Sequence, residues 1–210
     1  MTTFALTLHA PGKINLYLRI DGARTDGYHD ITTVFLPLPD IHDYVTVRLD
    51  ARSSIDIESN SADTPDGKNN ICHQAAAAYC RAAALPASGL SVYIEKNLPI
   101  AAGLGGGSSD AAAVLKALNE LYDHPLSTEA LHQVAVAVGA DVPFFLDASP
   151  AVATGVGEQL DPVPCNAHMS LILVNVPFPV STAWAYRAAK DYAHLTLSHV
   201  HGLVQALEEG

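Results

Sequence analysis

Residues 98–110 read Leu-Pro-Ile-Ala-Ala-Gly-Leu-Gly-Gly-Gly-Ser-Ser-Asp, with Gly103, Gly105, Gly106 and Gly107 inside five positions. Upstream, Leu90, Val92 and Ile94 alternate with polar or exposed positions and predict a strand. Downstream, Ser108 to Tyr122 predicts a helix entered directly from the glycines. Glycine has no Cβ, so such a loop can take positive φ and let its backbone approach a ligand closely. It runs into a helix N-terminus, where free N–H groups and the dipole favour anions. The hydroxyls of Ser108 and Ser109 add donors, and the segment therefore reads as a phosphate cradle. A Walker A loop would need a lysine before Ser108, which the chain lacks. A dinucleotide fingerprint would need glycine or alanine at 108 and a position after the first strand. The competing reading is a surface turn without function.

Around the loop the chain alternates unevenly. Ile14, Leu16, Leu18 and Ile20 predict a strand with one buried face, and Val45, Val47 and Leu49, then Ile55 and Ile57, repeat the pattern. The run Leu171–Val176 predicts a more buried strand. Helices are expected over Asn70–Ala84, with Asn69 or Asn70 as N-cap, over Ser127–Val138 with Gly139 at C′, over Trp184–Ala193, and around Leu203–Glu209. This is no regular βαβα alternation, so the expected class is α+β. Asp161–His168, rich in proline, reads as a linker, which divides the chain into residues 1–165 and 166–210.

Composition narrows the partners. The 210 residues carry a formal net charge of −11, which argues against nucleic acid and anionic membranes but not against a small anionic ligand held by local N–H groups. No run is long and apolar enough for a membrane span, and the first residues lack the marks of a signal peptide, so a soluble cytoplasmic protein is expected. Cys72, Cys80 and Cys165 form no Cys-x-x-Cys pair and suit a reducing compartment. His194, His199 and His201 cluster without matching zinc-ligand spacing and read as a solvated polar stretch. No metal ligands can be named.

The central segment Leu98–Asp110 resembles the phosphate-binding motif of the galactokinase, homoserine kinase, mevalonate kinase and phosphomevalonate kinase (GHMP) superfamily. Ala10-Pro-Gly-Lys-Ile-Asn-Leu16 is similar to its first motif. Arg24-Thr-Asp-Gly-Tyr-His29, Gly139-Ala-Asp-Val-Pro-Phe144 and Gly155-Val-Gly-Glu158 resemble the branch acting on a diphosphocytidyl polyol in the non-mevalonate route to isoprenoid precursors. The resemblance implies an ATP-dependent small-molecule kinase that phosphorylates the 2-hydroxyl of that polyol. It implies ATP and Mg²⁺, an N-terminal domain like ribosomal protein S5 domain 2, the start of a second α+β domain, and a monomer or homodimer.

Roles follow from the same resemblance. Asp141 lies just past a helix end, suited to face a cleft, and is expected to be the general base. Lys13 is its expected partner, favouring the alkoxide and offsetting phosphoryl charge; a mere surface ion pair is the bland alternative. Nucleotide contacts are expected from Asn70, Pro99, Ile100, Ala101, Ala102, Gly103, Leu104, Gly105, Gly106, Gly107, Ser108 and Ser109, although Asn70 could be only an N-cap. Asn15, Tyr28, His29, Thr182 and Tyr186 are expected around the substrate, with Tyr28 stacking on cytosine, His29 bonding its edge and Tyr186 covering the second face. Tyr186 and Trp184 could instead be helix core residues. Asp110 could cap its helix or orient Mg²⁺.

One motif of the superfamily, a second glycine loop of Gly-Thr/Ser-Gly-Ala type, is not found, and about the last quarter of a typical member is expected to be absent. Apolar positions such as Leu171, Leu173 and Val176 would then be exposed. A non-catalytic nucleotide-binding remnant, or a kinase of another small alcohol, are the alternatives.

Overall fold

The computed structural model describes residues 4–50, 53–175, 182–189 and 197–210. The frame is a long hairpin of β1 (Phe4–Ala23) and β2 (His29–Leu49), paired from Phe4 opposite Leu49 to Ala23 opposite His29. Its tip is the Arg24–Tyr28 turn, closed by the Arg24 N–H donating to the Tyr28 carbonyl (2.9 Å) and by Arg24 ion pairs to Asp26 and Asp30. The other edge of β2 carries β4 (Leu90–Glu95) beside Tyr44–Leu49 and β5 (Ala151–Thr154) beside Thr33–Phe35. β3 (Ile55–Ser59) runs parallel to β4, and β6 (Gln159–Pro162) antiparallel to β5. Among the described residues this is one six-stranded mixed sheet.

Three helices cover one face: α1 (Ile71–Ala82), α2 (Gly106–Leu121) and α3 (Thr128–Val138). The alanines of α2 let it approach α1 and the sheet closely, so Ala111 to Leu115, Ala117 and Leu118 are all buried. Asn70 caps α1 by accepting from the Cys72 N–H (2.8 Å), and Ser127 caps α3 by accepting from the Ala130 N–H. Gly139 follows α3 in extended backbone (φ 179), not the left-handed conformation of a C′ glycine. The single turn α4 (Phe144–Asp147) comes next. α5 (Thr182–Ala189) matches the helix expected at Trp184–Ala193 as far as the described residues reach. On the opposite sheet face, α6 (Leu197–Glu209) buries Val200 and Leu207 with Tyr17, Val34 and Val163.

Several expectations need correction. The alternation of β1 breaks where Asn15 opposes Phe35 and Tyr17 opposes Val34, leaving Leu16 as an extra residue. That bulge turns Tyr17 into a core and leaves Leu18 exposed, the reverse of a regular pleat. Helix α2 begins at Gly106, not Ser108, because Gly105 takes the left-handed conformation (φ 72) and starts the coil itself. Asp161 and Pro162 belong to β6, not to a linker. Residues 171–175 form no strand, having no partner strand beside them among the described residues, and Val176 lies outside those residues. Leu171 and Leu173 are indeed exposed, and Ile172 more so at 94%. α6 starts well before Leu203 and runs through Gly202, whose roughly 1 kcal/mol penalty is offset by the burial of Val200 and Leu207.

The two flanks of the sheet make a direct contrast. Leu207→Ala, at a position 2% exposed, should lower the unfolding free energy in urea by about 2–4 kcal/mol. Ile172→Ala should change it by less than about 0.5 kcal/mol.

Candidate active site

Lys13 stands on β1 and is only 6% exposed. Its backbone N–H donates to the Leu104 carbonyl at 2.9 Å, which ties the glycine loop to the strand. Its Nζ donates to Asn15 Oδ1 (2.7 Å), lies 3.6 Å from Asp141 Oδ2, and sits 5.0 Å from the centroid of the Phe35 ring. The contact with Asp141 is an ion pair, too long for a strong hydrogen bond. Burial holds the Lys13 ammonium below the usual lysine range, and the charge of Asp141 works against that shift. Asn15 in turn donates from Nδ2 to Thr33 Oγ1 (2.8 Å), and Thr33 donates to the Tyr17 carbonyl (2.6 Å). That chain of bonds fixes the amide of Asn15 with its oxygen toward Lys13.

Asp141 sits in the tight turn between α3 and α4, closed by the Val142 N–H donating to the Gly139 carbonyl (3.1 Å). A Cβ at Gly157 would stand 3.6 Å from Asp141 Oδ1, so the Gly155–Glu158 turn packs against the carboxylate. The Val156 N–H donates to Glu158 Oε2 (2.7 Å), which stiffens that turn. Asp141 keeps a partly open face, its side chain being 33% exposed.

The glycine loop crosses above Lys13. Gly105 is demanded twice over: its φ is positive, and a Cβ there would stand 2.7 Å from the Phe145 ring. Ala101 also takes positive φ, unusual for a residue with a side chain. Because Gly105 ends the loop, the first-turn amides of α2 lie at the cavity wall. Gly103, Gly105 and Ser108 line the same cavity as Lys13, Asn15 and Asp141, whose volume is about 1090 Å³. Tyr28, His29 and Tyr186 line its other end. His29 Nε2 is buried without a partner among the described residues, and the His29 and Tyr186 rings are 5.5 Å apart between centroids and tilted by 43°. Burial, and then the charge of Asp141, raise the Tyr186 phenol above its ordinary range. Tyr28 is 62% exposed at the mouth.

A second cavity of about 360 Å³ adjoins the first across the loop. Asn70, Pro99, Ile100, Leu104, Gly106 and Gly107 line it, while Ala101, Ala102, Gly103, Gly105 and Ser108 border both. Asn70 is here an N-cap whose amide also donates to the Pro65 carbonyl (2.8 Å). Ser109 is buried and lines neither cavity, and its Oγ has no partner among the described residues. Thr182 opens α5, but its side chain lies outside the described residues. Three groups at the site escaped the sequence reasoning. Phe35 lies under Lys13, and Asp43 and Lys96 are buried beside the loop. Lys96, placed at the strand end just before the glycines, was the available signal.

Residues 70–149 match the model of the GHMP kinases N-terminal domain. The chain is 42% identical over 186 residues to a 4-diphosphocytidyl-2-C-methyl-D-erythritol kinase of Geobacter metallireducens, covering 89% of this chain and 66% of that protein. It is 40% identical over 206 residues to the protein of that name from Pelotomaculum thermopropionicum, covering 98% of this chain and 71% of that one. The chain belongs to the 4-diphosphocytidyl-2-C-methyl-D-erythritol kinase family. A crystal structure of a 4-(cytidine 5'-diphospho)-2C-methyl-D-erythritol kinase superposes with a TM-score of 0.72 at 34% identity, covering 98% of this chain and 72% of that one. The α+β fold is thus that of the GHMP kinases. The chain spans 66% and 71% of the length of these two family members.

Gly105→Ala should destabilise the protein by more than about 1 kcal/mol in chemical denaturation, from the left-handed backbone and the clash together. In a Phe145→Ala background the penalty should shrink without vanishing. Equal penalties in both backgrounds would show that the ring contact is irrelevant.

Proposed function

We propose that the chain carries the nucleotide- and polyol-binding part of an ATP-dependent kinase that phosphorylates the 2-hydroxyl of 4-diphosphocytidyl-2-C-methyl-D-erythritol. That reaction belongs to the non-mevalonate route to isoprenoid precursors. The observation that carries this reading is a single cavity shared by the Lys13–Asp141 pair, the glycine-headed helix and the His29–Tyr186 end. The names borne by the relatives support the choice of substrate.

In this reading the amides at the start of α2 and the loop hold the nucleotide phosphates. The smaller cavity, with Asn70 and Ile100 on its wall, takes the base side of ATP. Cytosine lies at the far end, where the orphaned His29 Nε2 gains a partner from the pyrimidine edge and Tyr186 offers a ring face. Tyr28, exposed at the mouth, closes over the base. The 2-hydroxyl then lies near Asp141. Its oxygen forms a bond to the γ-phosphorus as the bond from that phosphorus to the bridging oxygen of ADP breaks, and Asp141 takes the hydroxyl proton. Lys13 stays charged beside the incipient alkoxide and the equatorial phosphoryl oxygens, where a fixed cation is worth most in a water-poor site. Asn15 holds Lys13 in place.

Mg²⁺ is part of the proposal as an ion carried on the nucleotide phosphates, where it neutralises charge when bound. The carboxylate of Asp141 is the kind of hard oxygen donor such an ion accepts in this cavity. A reducing, cytoplasmic setting suits the free thiols of Cys72, Cys80 and Cys165. Action as a monomer or homodimer belongs to the same reading.

Asp141→Asn should lower kcat by roughly 10²–10⁴-fold while ATP affinity stays within about threefold, measured by coupled ADP release and by calorimetry. Undiminished turnover would remove Asp141 from the role of base. ATP binding with no turnover by the parent chain would favour the non-catalytic remnant instead. Tyr186→Ala should weaken CMP binding by about 1–3 kcal/mol, and an unchanged CMP affinity would point to a different alcohol substrate.

A further inference from the structure

Lys96 is the last residue before the loop, and Asp110 lies in the second turn of the helix after it. The two are joined directly, Lys96 Nζ donating to Asp110 Oδ2 at 2.8 Å. The same ammonium donates to Asp43 Oδ2, across 53 residues of chain. Asp43 is fully buried on β2, opposite Ala10 of β1. Its other oxygen accepts the N–H groups of Asn97 (2.6 Å) and Leu98 (2.7 Å), the first two residues of the loop. The Lys96 N–H itself donates to Asn60 Oδ1 (2.8 Å), just past the end of β3. Both ends of the glycine segment are thus fastened to one buried point on the sheet.

Burying three charged groups is unfavourable by several kcal/mol per ion unless each is paired, and replacement by apolar residues is often neutral or stabilising. The trio is therefore poorly explained as a source of stability. None of its members lines the cavity of Lys13 and Asp141, but Lys96 and Asp110 line the smaller one beside the loop. Asp110 is 3% exposed, and its Oδ1 has no partner among the described residues, like the neighbouring Ser109 Oγ.

We propose that Asp43, Lys96 and Asp110 form a clamp that holds the two ends of the glycine loop at the separation phosphate binding needs, and that the charge on Asp110 tunes how tightly nucleotide is held. These are positioning residues, and the proposal rests on reading the loop as the nucleotide site. A loop with four glycines has many open conformations, and fixing both of its ends removes most of them before ligand arrives. With all three groups ionised, the trio carries a net negative charge beneath the helix head where phosphates would sit. Burial, reinforced by Asp43 and opposed by Lys96, raises the Asp110 carboxyl to about 7. The other titratable group facing the cluster is Cys72 on α1, whose thiol burial pushes up well above its ordinary value. The sign follows: as pH rises through about 7, Asp110 gains its charge, the native state loses stability, and the loop holds anions less tightly.

The test uses the 210-residue chain and two measurements. Without nucleotide, Lys96→Met should speed hydrogen exchange of the amides at 97–109 by at least about tenfold, leaving those of β1 and β2 unchanged. Lys96→Arg should restore part of the protection. With ADP in calorimetry, Lys96→Met should weaken binding by about tenfold, or about 1.4 kcal/mol. Asp110→Asn should leave loop exchange within about twofold. Its ADP affinity relative to the parent chain should rise severalfold between about pH 6 and pH 8, a ratio in which the titration of the ligand cancels. Unchanged loop exchange in Lys96→Met, or faster exchange everywhere at once, overturns the clamp. A pH-independent ratio for Asp110→Asn overturns the tuning. Should Lys96→Met fail to fold, the combination with Asp110→Leu removes one of the two stranded charges, leaving Asp43 with its Asn97 and Leu98 N–H donors, and carries the same exchange expectation. A parent chain that binds no ADP would refute the loop as the nucleotide site, while exchange would still decide the clamp.

Discussion

One main-chain hydrogen bond, from the Lys13 N–H to the Leu104 carbonyl, joins the two halves of the site. It stitches the glycine loop onto β1 at the residue whose ammonium faces Asp141. Everything around it is arranged to keep that contact. Gly105 has no side chain because the Phe145 ring occupies the space, with the stem of Lys13 also close by. The bulge at Leu16 sits just beyond, so Lys13 and Asn15 can share a face while Tyr17 turns into the opposite core. A loop untied from the strand would present the same amides to solvent, with no cation and no carboxylate in reach.

On the proposed reading, an acidic protein makes room for anions. A net charge of −11 repels phosphate at long range, yet that field is screened within about 8–10 Å at ordinary ionic strength. Close to the loop the balance is local: the helix N-terminus opened by Gly105 and the buried ammonium of Lys13 favour an anion, while the Asp43–Lys96–Asp110 trio, net negative when all three are ionised, opposes it. Desolvation strengthens each of these contacts, and it also explains why Asn15, Thr33 and Tyr17 form a relay of bonds beneath Lys13. An ammonium buried without such support would lose its proton.

Much of this could be read from the sequence because the signals are local. Four glycines between a period-two strand and an alanine-rich helix announce the loop, and Asn70 and Ser127 announce their helices by capping chemistry. What could not be read depends on distant partners. Asp43 and Lys96 look like ordinary surface charges until the pairing of β2 with β4 brings them together. The bulge in β1 leaves no mark in the hydrophobic pattern, which continues smoothly through Leu16 and Leu18. Strands of four residues such as β5 and β6 are too short to show a period. The apolar run at Leu171 mimics a buried strand because pattern reports what a segment could bury, not whether a neighbouring strand is there to receive it.

The hairpin of β1 and β2 has a modular consequence. Lys13, Asn15, His29 and Asp43 ride on one bulged antiparallel ribbon and Tyr28 on its tip, whereas the amides proposed to hold phosphate belong to α2. The Arg24–Tyr28 tip is joined to the ribbon by backbone pairing and by the Arg24–Asp30 ion pair, at the end where Ala23 faces His29. On the proposed reading, recognition of the acceptor can drift by changes at a solvent-facing turn without disturbing the donor machinery. Such a scaffold could be retargeted to new alcohols at its rim while the proposed phosphate grip stays fixed.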